Sequence, residues 1–139
     1  MIGSSIIIIS KIDRSLILDG LQLQPTLFFG FPALYGLLCL MKTAPLDSIK
    51  FFISGADMLP DKIASAFSII YGRKICAGYG LSEAAPVVAV NLANKTQSTK
   101  IVGQPLPEIV CDIKDSDGHS LGNNTIGTLW IKGGNVMMG

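Results

Sequence analysis

The sequence predicts an α/β chain: part of a parallel αβα-layered sheet followed by a β-rich segment. Three observations predict it. Strand-like and helix-like runs alternate over the first two thirds, the order that a parallel sheet with crossover helices requires. The strand-like runs there are apolar without alternation, whereas beyond Asn91 they alternate, as antiparallel strands with one wet face do. Glycine, proline and asparagine clusters punctuate the runs where turns are needed. We place an α/β unit over 1–92 and a β-rich unit over 93–139, the latter expected to be cut short at its C-terminus, where the chain stops at Gly139 just after the apolar run Val136-Met137-Met138, without a closing helix.

In chain order, the β-branched run Ser4–Ser10 predicts a first strand covered on both faces. Arg14–Leu23 carries Leu16, Ile17, Leu21 and Leu23 at near-helical spacing and is stopped by Pro25, which predicts a helix. Thr26–Phe29 predicts the next strand. Pro32 opens a helix whose stripe is Leu34, Leu37, Leu38 and Met41. Ile49–Ser54 predicts a third strand after the turn around Pro45. Leu59-Pro60-Asp61 opens a helix with Ile63, Ala66, Phe67 and Ile70 inward and Gly72 at its end. Ile75–Ala77 predicts a fourth strand running straight into Gly78. Asn94–Lys100 is polar and predicts an exposed loop. Ile109–Lys114 and Thr128–Lys132 predict an antiparallel pair, with turns at Asp115-Ser116-Asp117-Gly118 and Gly122-Asn123-Asn124 between them.

Composition excludes several classes of function. Eleven Lys+Arg against ten Asp+Glu leave a net charge of +1, so there is no electrostatic footprint for nucleic acid or an anionic membrane surface. With 49% apolar and only 15% charged residues, the chain is not disordered and carries more apolar surface than 139 residues readily bury. Cys39, Cys76 and Cys111 form no CxxC pair and His119 stands alone, which argues against a disulfide framework or a Cys/His zinc site and for reduced thiols in the cytoplasm. Ile6–Ile9 is too short for a signal peptide. Gly20–Met41 lacks charge and is long enough to cross a bilayer. Pro25 and Pro32 interrupt it, so a buried strand and helix is the preferred reading and a membrane span the alternative.

Two loops carry the candidate chemistry. Gly78-Tyr79-Gly80-Leu81-Ser82-Glu83 comes off a strand end, where α/β sheets receive ligands. Its glycines allow close backbone approach, Tyr79 offers a flat face for a base, Ser82 a hydroxyl for a phosphate oxygen, and Glu83 a hard ligand for magnesium. Glu83 is one of only two glutamates and stands among Leu81, Ala84, Ala85 and Pro86, where an unpaired carboxylate would be costly if buried. The same spacing fits a plain glycine turn with Tyr79 in the core and Glu83 as a surface acid. Ser54-Gly55-Ala56-Asp57-Met58 follows the neighbouring strand in the same way; its small residues leave room for a planar ring, and it too fits a plain strand-to-helix turn.

Four motifs resemble, in order and spacing, the middle of the adenylate-forming superfamily, the acyl-CoA and acyl-carrier-protein synthetases and their relatives. They are Ser54–Pro60, Gly78–Glu83, Val102–Pro107 and Gly127–Gly139. Pro25–Tyr35 resembles that family's substrate-pocket strand and helix, and Ser54–Asp57 with Ala85–Asn91 resembles its fatty acid-activating branch. The resemblance implies an AMP- and ATP-binding enzyme whose β-rich part is a distorted barrel. It implies Tyr79 stacked on adenine with Gly55, Ala56 and Asp57 opposite, Gly80 and Ser82 at the nucleotide with Ser82 on the α-phosphate, and Glu83 on magnesium. Ser82 and Glu83 are thus the implied catalytic pair. Phe31, Leu34, Gly78 and Gly80 are the implied acyl pocket. The implied partners are a fatty acid, coenzyme A or an acyl carrier protein as thiol acceptor, and the missing halves of a split synthetase.

The sequence departs from that family too. Thr128 stands where the family usually has glutamate, Glu108 where glycine is common, and Ser82 replaces threonine with its hydroxyl kept. The Thr/Ser/Gly-rich phosphate loop, the ribose-binding aspartate and the lysine-bearing C-terminal domain are not among these residues, so an internal fragment with little activity alone is expected. A nucleotide- or acyl-binding module without catalysis is the alternative from another class. The expected location is the cytoplasm, with membrane association only through a complete enzyme.

Overall fold

The computed structural model describes residues 3–92 and 100–138. Helix α1 (Arg14–Gln22) starts where the Asp13 carboxylate accepts hydrogen bonds from the Ser15 and Leu16 amides at 2.9 and 3.2 Å, satisfying two donors that any helix start leaves free. The Ser15 hydroxyl and these amides hold the Asp13 carboxyl below its ordinary range. After β1 (Leu27–Gly30), Pro32 opens α2 (Pro32–Met41), where its fixed φ suits the first turn. Strand β2 (Phe51–Ser54) leads to α3 (Asp61–Tyr71), which ends on Gly72 at φ 62°, a left-handed position that glycine takes without strain. Then come β3 (Ile75–Gly80), one tight helical turn at Ser82–Ala84, β4 (Val87–Val90), β5 (Gln104–Pro105), β6 (Val110–Lys114) and β7 (Thr128–Lys132).

The described residues form a five-stranded sheet in the order β1-β2-β3-β4-β5 and a separate antiparallel pair β6-β7. β1, β2 and β3 run parallel, with Phe28, Phe52 and Ile75 in one register row. That row faces the helices. Phe52 and Phe67 meet edge to face with ring centroids 5.0 Å apart, and Phe67 meets Tyr35 at 5.6 Å, so strand and both helices share one aromatic core. The Tyr35 hydroxyl donates to the carbonyls of Ile53 at 2.9 Å and Phe28 at 3.2 Å, tying β1 to β2 from above. Burial pushes its ionisation well above the usual tyrosine range. The Tyr71 hydroxyl donates to Leu38 O at 2.6 Å and ties α3 to α2. On the opposite face Leu27, Phe29 and Phe51 are exposed.

The helices and the hairpin fall where the sequence places them; three features differ. Among the described residues Ser4–Ser10 forms no strand and pairs with none: Ile6 and Ile8 are exposed, and of this segment Ile9 packs on the core. β-Branched composition favours a strand, but a strand exists only where a partner edge is met. β3 is longer than expected and continues through Gly78 to Gly80, because β4, an unforeseen strand, pairs with it antiparallel; β5 extends the same sheet. The sheet is therefore mostly, not wholly, parallel. Ile70 lies at the rim of α3 instead of on its inner face. Gly20–Met41 is divided among the end of α1, β1 and α2, and among the described residues no helix is long and apolar enough to cross a membrane. The loop expected at Asn94–Lys100 lies, except for Lys100, outside the described residues.

Candidate functional site

The two loops singled out in the sequence leave the carboxyl ends of adjacent parallel strands, β2 and β3. Their nearness is set by the parallel pairing of the two strands, in which Ser54 faces Ala77; a β-carbon at Gly78 would lie 3.4 Å from the Ser54 carbonyl oxygen, an ordinary contact distance. In the first loop, the Gly55 amide donates to Gly30 O at 3.0 Å and continues the sheet, while a side chain at 55 would meet open space. Ala56 takes φ 67°, a left-handed conformation that is strained without a hydrogen-only side chain. The Asp57 carboxylate accepts from the Met58 amide at 2.7 Å. Ala56 and Asp57 are exposed.

In the second loop, β3 bulges between Tyr79 and Gly80. A β-carbon at Gly80 would fall onto the Pro86 carbonyl oxygen, so glycine alone allows this crossing. The Leu81 amide then donates to that oxygen at 2.8 Å and closes the turn. Tyr79 is half-buried and strand-borne, opposite Ala89. Ser82 and Glu83 sit on the tight turn, both exposed; the buried member is Ala84. The sequence neighbours of Glu83 are apolar, yet Glu83 is exposed, because Leu81, Ala85 and Pro86 beside it lie at the surface too.

The implied acyl-pocket residues do not come together. Phe31 and Leu34 line a cavity of about 570 Å³ between β1 and the Ser4–Ile9 segment, with Phe28, Phe29, Ile7 and Leu21 also in its wall. Gly78 and Gly80 lie at the β3 end and are not part of that wall.

One contributor escaped the sequence reading. The Asn135 side-chain amide donates to Ala84 O at 2.6 Å and Val87 O at 3.3 Å, and the Met137 amide donates to Glu83 O at 2.8 Å. These residues stand inside the Gly127–Gly139 motif, but no spacing signals a contact across so much chain. The Ser54 hydroxyl, at the end of β2, is buried and has no hydrogen-bond partner among the described residues.

Elsewhere, ligand atoms of Asp115, Asp117 and His119 lie within 4.8 Å of one another. There Asp115 accepts from the Asp117 and His119 amides at 2.9 and 2.8 Å, the bonding of a surface turn. Burial raises the Cys39 and Cys76 thiols above their ordinary range, which suits packing and not nucleophilic attack.

The family model described as AMP-binding enzyme matches residues 1–139. A long-chain-fatty-acid–CoA ligase of Bacillus subtilis (strain 168) is 33% identical over 146 residues, covering 99% of this chain and 26% of that protein. A feruloyl-CoA synthase of an Amycolatopsis species is 29% identical over 143 residues, covering 99% of this chain and 29% of that protein. Among solved structures, apo MatB from Rhodopseudomonas palustris superposes with a TM-score of 0.78 at 27% identity, covering 89% of this chain and 25% of that one. The chain thus spans about a quarter of the length of these relatives.

Proposed function

The chain belongs to the AMP-binding enzyme family, and from that premise we propose that it forms the nucleotide-facing part of a cytoplasmic ATP-dependent ligase acting on a fatty acid. In this reaction a carboxylate oxygen attacks the α-phosphorus of ATP, a carbon–oxygen–phosphorus linkage forms, and the bond to pyrophosphate breaks. A thiol of coenzyme A or an acyl carrier protein then attacks the acyl carbon, and AMP leaves with the bonding electrons. Coenzyme A is the better-supported acceptor, since the Bacillus and Amycolatopsis relatives carry it in their names. Those two names also differ in the acid, so the fatty acid assignment rests on the Ser54–Asp57 and Ala85–Asn91 motifs.

The observation that carries the reading is that the two loops sit at the carboxyl ends of paired parallel strands, where Ser54 faces Ala77 beside Gly78. That pairing brings Tyr79, half-buried, and Gly55, beside which a side chain would meet open space, to one end of the sheet, which supports a planar base bound between them. The exposed Ser82 hydroxyl serves to orient an α-phosphate oxygen. Glu83 presents one solvated carboxylate on a fixed turn, and magnesium is commonly held by one or two carboxylates together with substrate phosphates and water, so the residue fits that ion. When bound there, the ion would neutralise charge on the phosphates. The isolated 139 residues, which hold neither a Thr/Ser/Gly-rich phosphate loop nor a lysine-bearing domain, are proposed to bind nucleotide without sustaining turnover.

The test uses a ligase completed with the remaining family segments. Glu83→Ala should depress fatty acid-dependent ATP–pyrophosphate exchange, most severely at low magnesium, while fatty acid binding stays as it was. An exchange rate equal to that of the parent at every magnesium concentration would remove Glu83 from the site.

A further inference from the structure

We propose that Asn135 is a positioning residue that holds the Ser82–Ala84 turn in place, an assignment that rests on the nucleotide-site reading of that turn. The turn is closed by backbone hydrogen bonds from Leu81 N to Pro86 O at 2.8 Å, Ala84 N to Leu81 O at 3.0 Å and Ala85 N to Ser82 O at 3.3 Å. It also holds Ala85 at φ 46°, a left-handed conformation that costs free energy outside glycine. Such a turn has reason to relax. Two of its carbonyls, those of Glu83 and Ala84, and that of Val87 at the start of β4 are instead taken up by the segment after β7, through the Met137 amide and the Asn135 side chain.

Asn135 acts through its donor. Its Nδ2 makes both contacts, whereas its Oδ1 is buried and has no partner among the described residues. Gly133 makes room for that oxygen, since a β-carbon at 133 would stand 2.6 Å from it. The position of Ser82 and Glu83 is therefore set by residues about fifty positions later in the chain, on the segment that leaves the β6-β7 hairpin.

Two variants of the 139-residue chain separate this role from packing. Asn135→Ala removes the side chain, and Asn135→Asp keeps its shape but lacks the amide donor. Amide hydrogen exchange is read at Ala84 and Ala85 and, as an internal control, within β1 and β2. Both variants should exchange about tenfold faster at Ala84 and Ala85, the order expected for loss of a hydrogen bond to a buried carbonyl, with β1 and β2 unchanged. Titration of the same samples should show magnesium-ATP binding weakened about tenfold and metal-free AMP binding weakened less, because AMP makes no call on Glu83. Unchanged exchange in both variants overturns the proposal, as does parental behaviour of Asn135→Asp beside a loosened Asn135→Ala. A loosened turn with full magnesium-ATP affinity also overturns it. If the parent chain binds no nucleotide, the reading of the previous subsection fails, and the exchange ratios alone decide whether Asn135 holds the turn.

Discussion

The helix-backed half of the sheet and the half that ends in the Ser82–Ala84 turn are held by opposite means. Every residue of the main buried cluster lies between Ile17 and Ile75, and large side chains fill it: Tyr35, Phe52 and Phe67 are all but fully buried. Beyond Ile75 the buried residues are small, Cys76, Ala77, Ala84, Val88 and Ala89, together with Asn91. There the structure rests on backbone hydrogen bonds and on places where no β-carbon fits, at Gly80 and Gly103. Removing atoms should damage the first region, and adding atoms should damage the second. The division also suits a ligand site, since a packed core supplies rigidity while backbone carried past glycine leaves surface free for a bound molecule.

The largest effect expected from this contrast is at Phe67, which touches Tyr35, Phe52 and Tyr71. Phe67→Ala should cost about 3–5 kcal/mol of stability by denaturant unfolding, as deletion of a buried aromatic ring does. A loss under about 1 kcal/mol, the scale of a surface change, would mean that the aromatic cluster does not hold this half together. Next in size is Gly80→Ala, in which one added methyl group must displace the Pro86 carbonyl. It should cost about 1–3 kcal/mol, the range for overpacking, and accelerate exchange of the Leu81 amide while leaving β1 and β2 protected. Equal loosening of both regions would erase the distinction between them.

The same contrast explains what the sequence made legible. The α3 stripe with Gly72 at its end, and the alternating β6 and β7, are local patterns and can be read from neighbours in the chain. Strand β4 is not local: Val87–Val90 has no alternation, and what makes it a strand is the crossing of Gly80 over Pro86. Ser4–Ser10 misleads for the converse reason, since its composition favours a strand that lacks an edge to join. Within the candidate site, the two loops were legible because strand ends and glycines mark them. Asn135 was not, because a hydrogen bond spanning 51 residues leaves no trace in spacing. Glu108 lies between these cases: the family's usual glycine at that place matches the φ of 70° found here, a strained value for glutamate.

A finer probe of the second region is Tyr79, half-buried on β3. If its ring is a platform for adenine, Tyr79→Phe should keep nucleotide affinity, and Tyr79→Ala should weaken it by about 1–3 kcal/mol, the usual worth of a base stacked on an aromatic ring. Folding stability should fall less than binding does, because the region draws little from side-chain packing. Calorimetric titration with AMP beside thermal unfolding measures both. A stability loss of the same size with unaltered AMP affinity would reassign Tyr79 to the core and extend the packed half to the strand end.

The smallest effect is expected where the two regions meet, at Ser54. It ends β2, is 2% exposed, and its hydroxyl has no hydrogen-bond partner among the described residues. A buried hydroxyl without a partner carries a desolvation cost of about 1–3 kcal/mol that nothing offsets. Ser54→Ala removes the oxygen and leaves the rest of the side chain, so little cavity is created. Stability should therefore hold or rise, by no more than about 1 kcal/mol. This reverses the sign seen at Phe67, although both residues are buried, because one supplies contacts and the other supplies only an unmet polar atom. Denaturant unfolding gives the sign directly. A loss above about 1 kcal/mol would show the hydroxyl bonded in solution. Unchanged stability with weaker AMP binding would instead make Ser54 part of the nucleotide site, and the hydroxyl's isolation within the fold would then have its reason in the ligand.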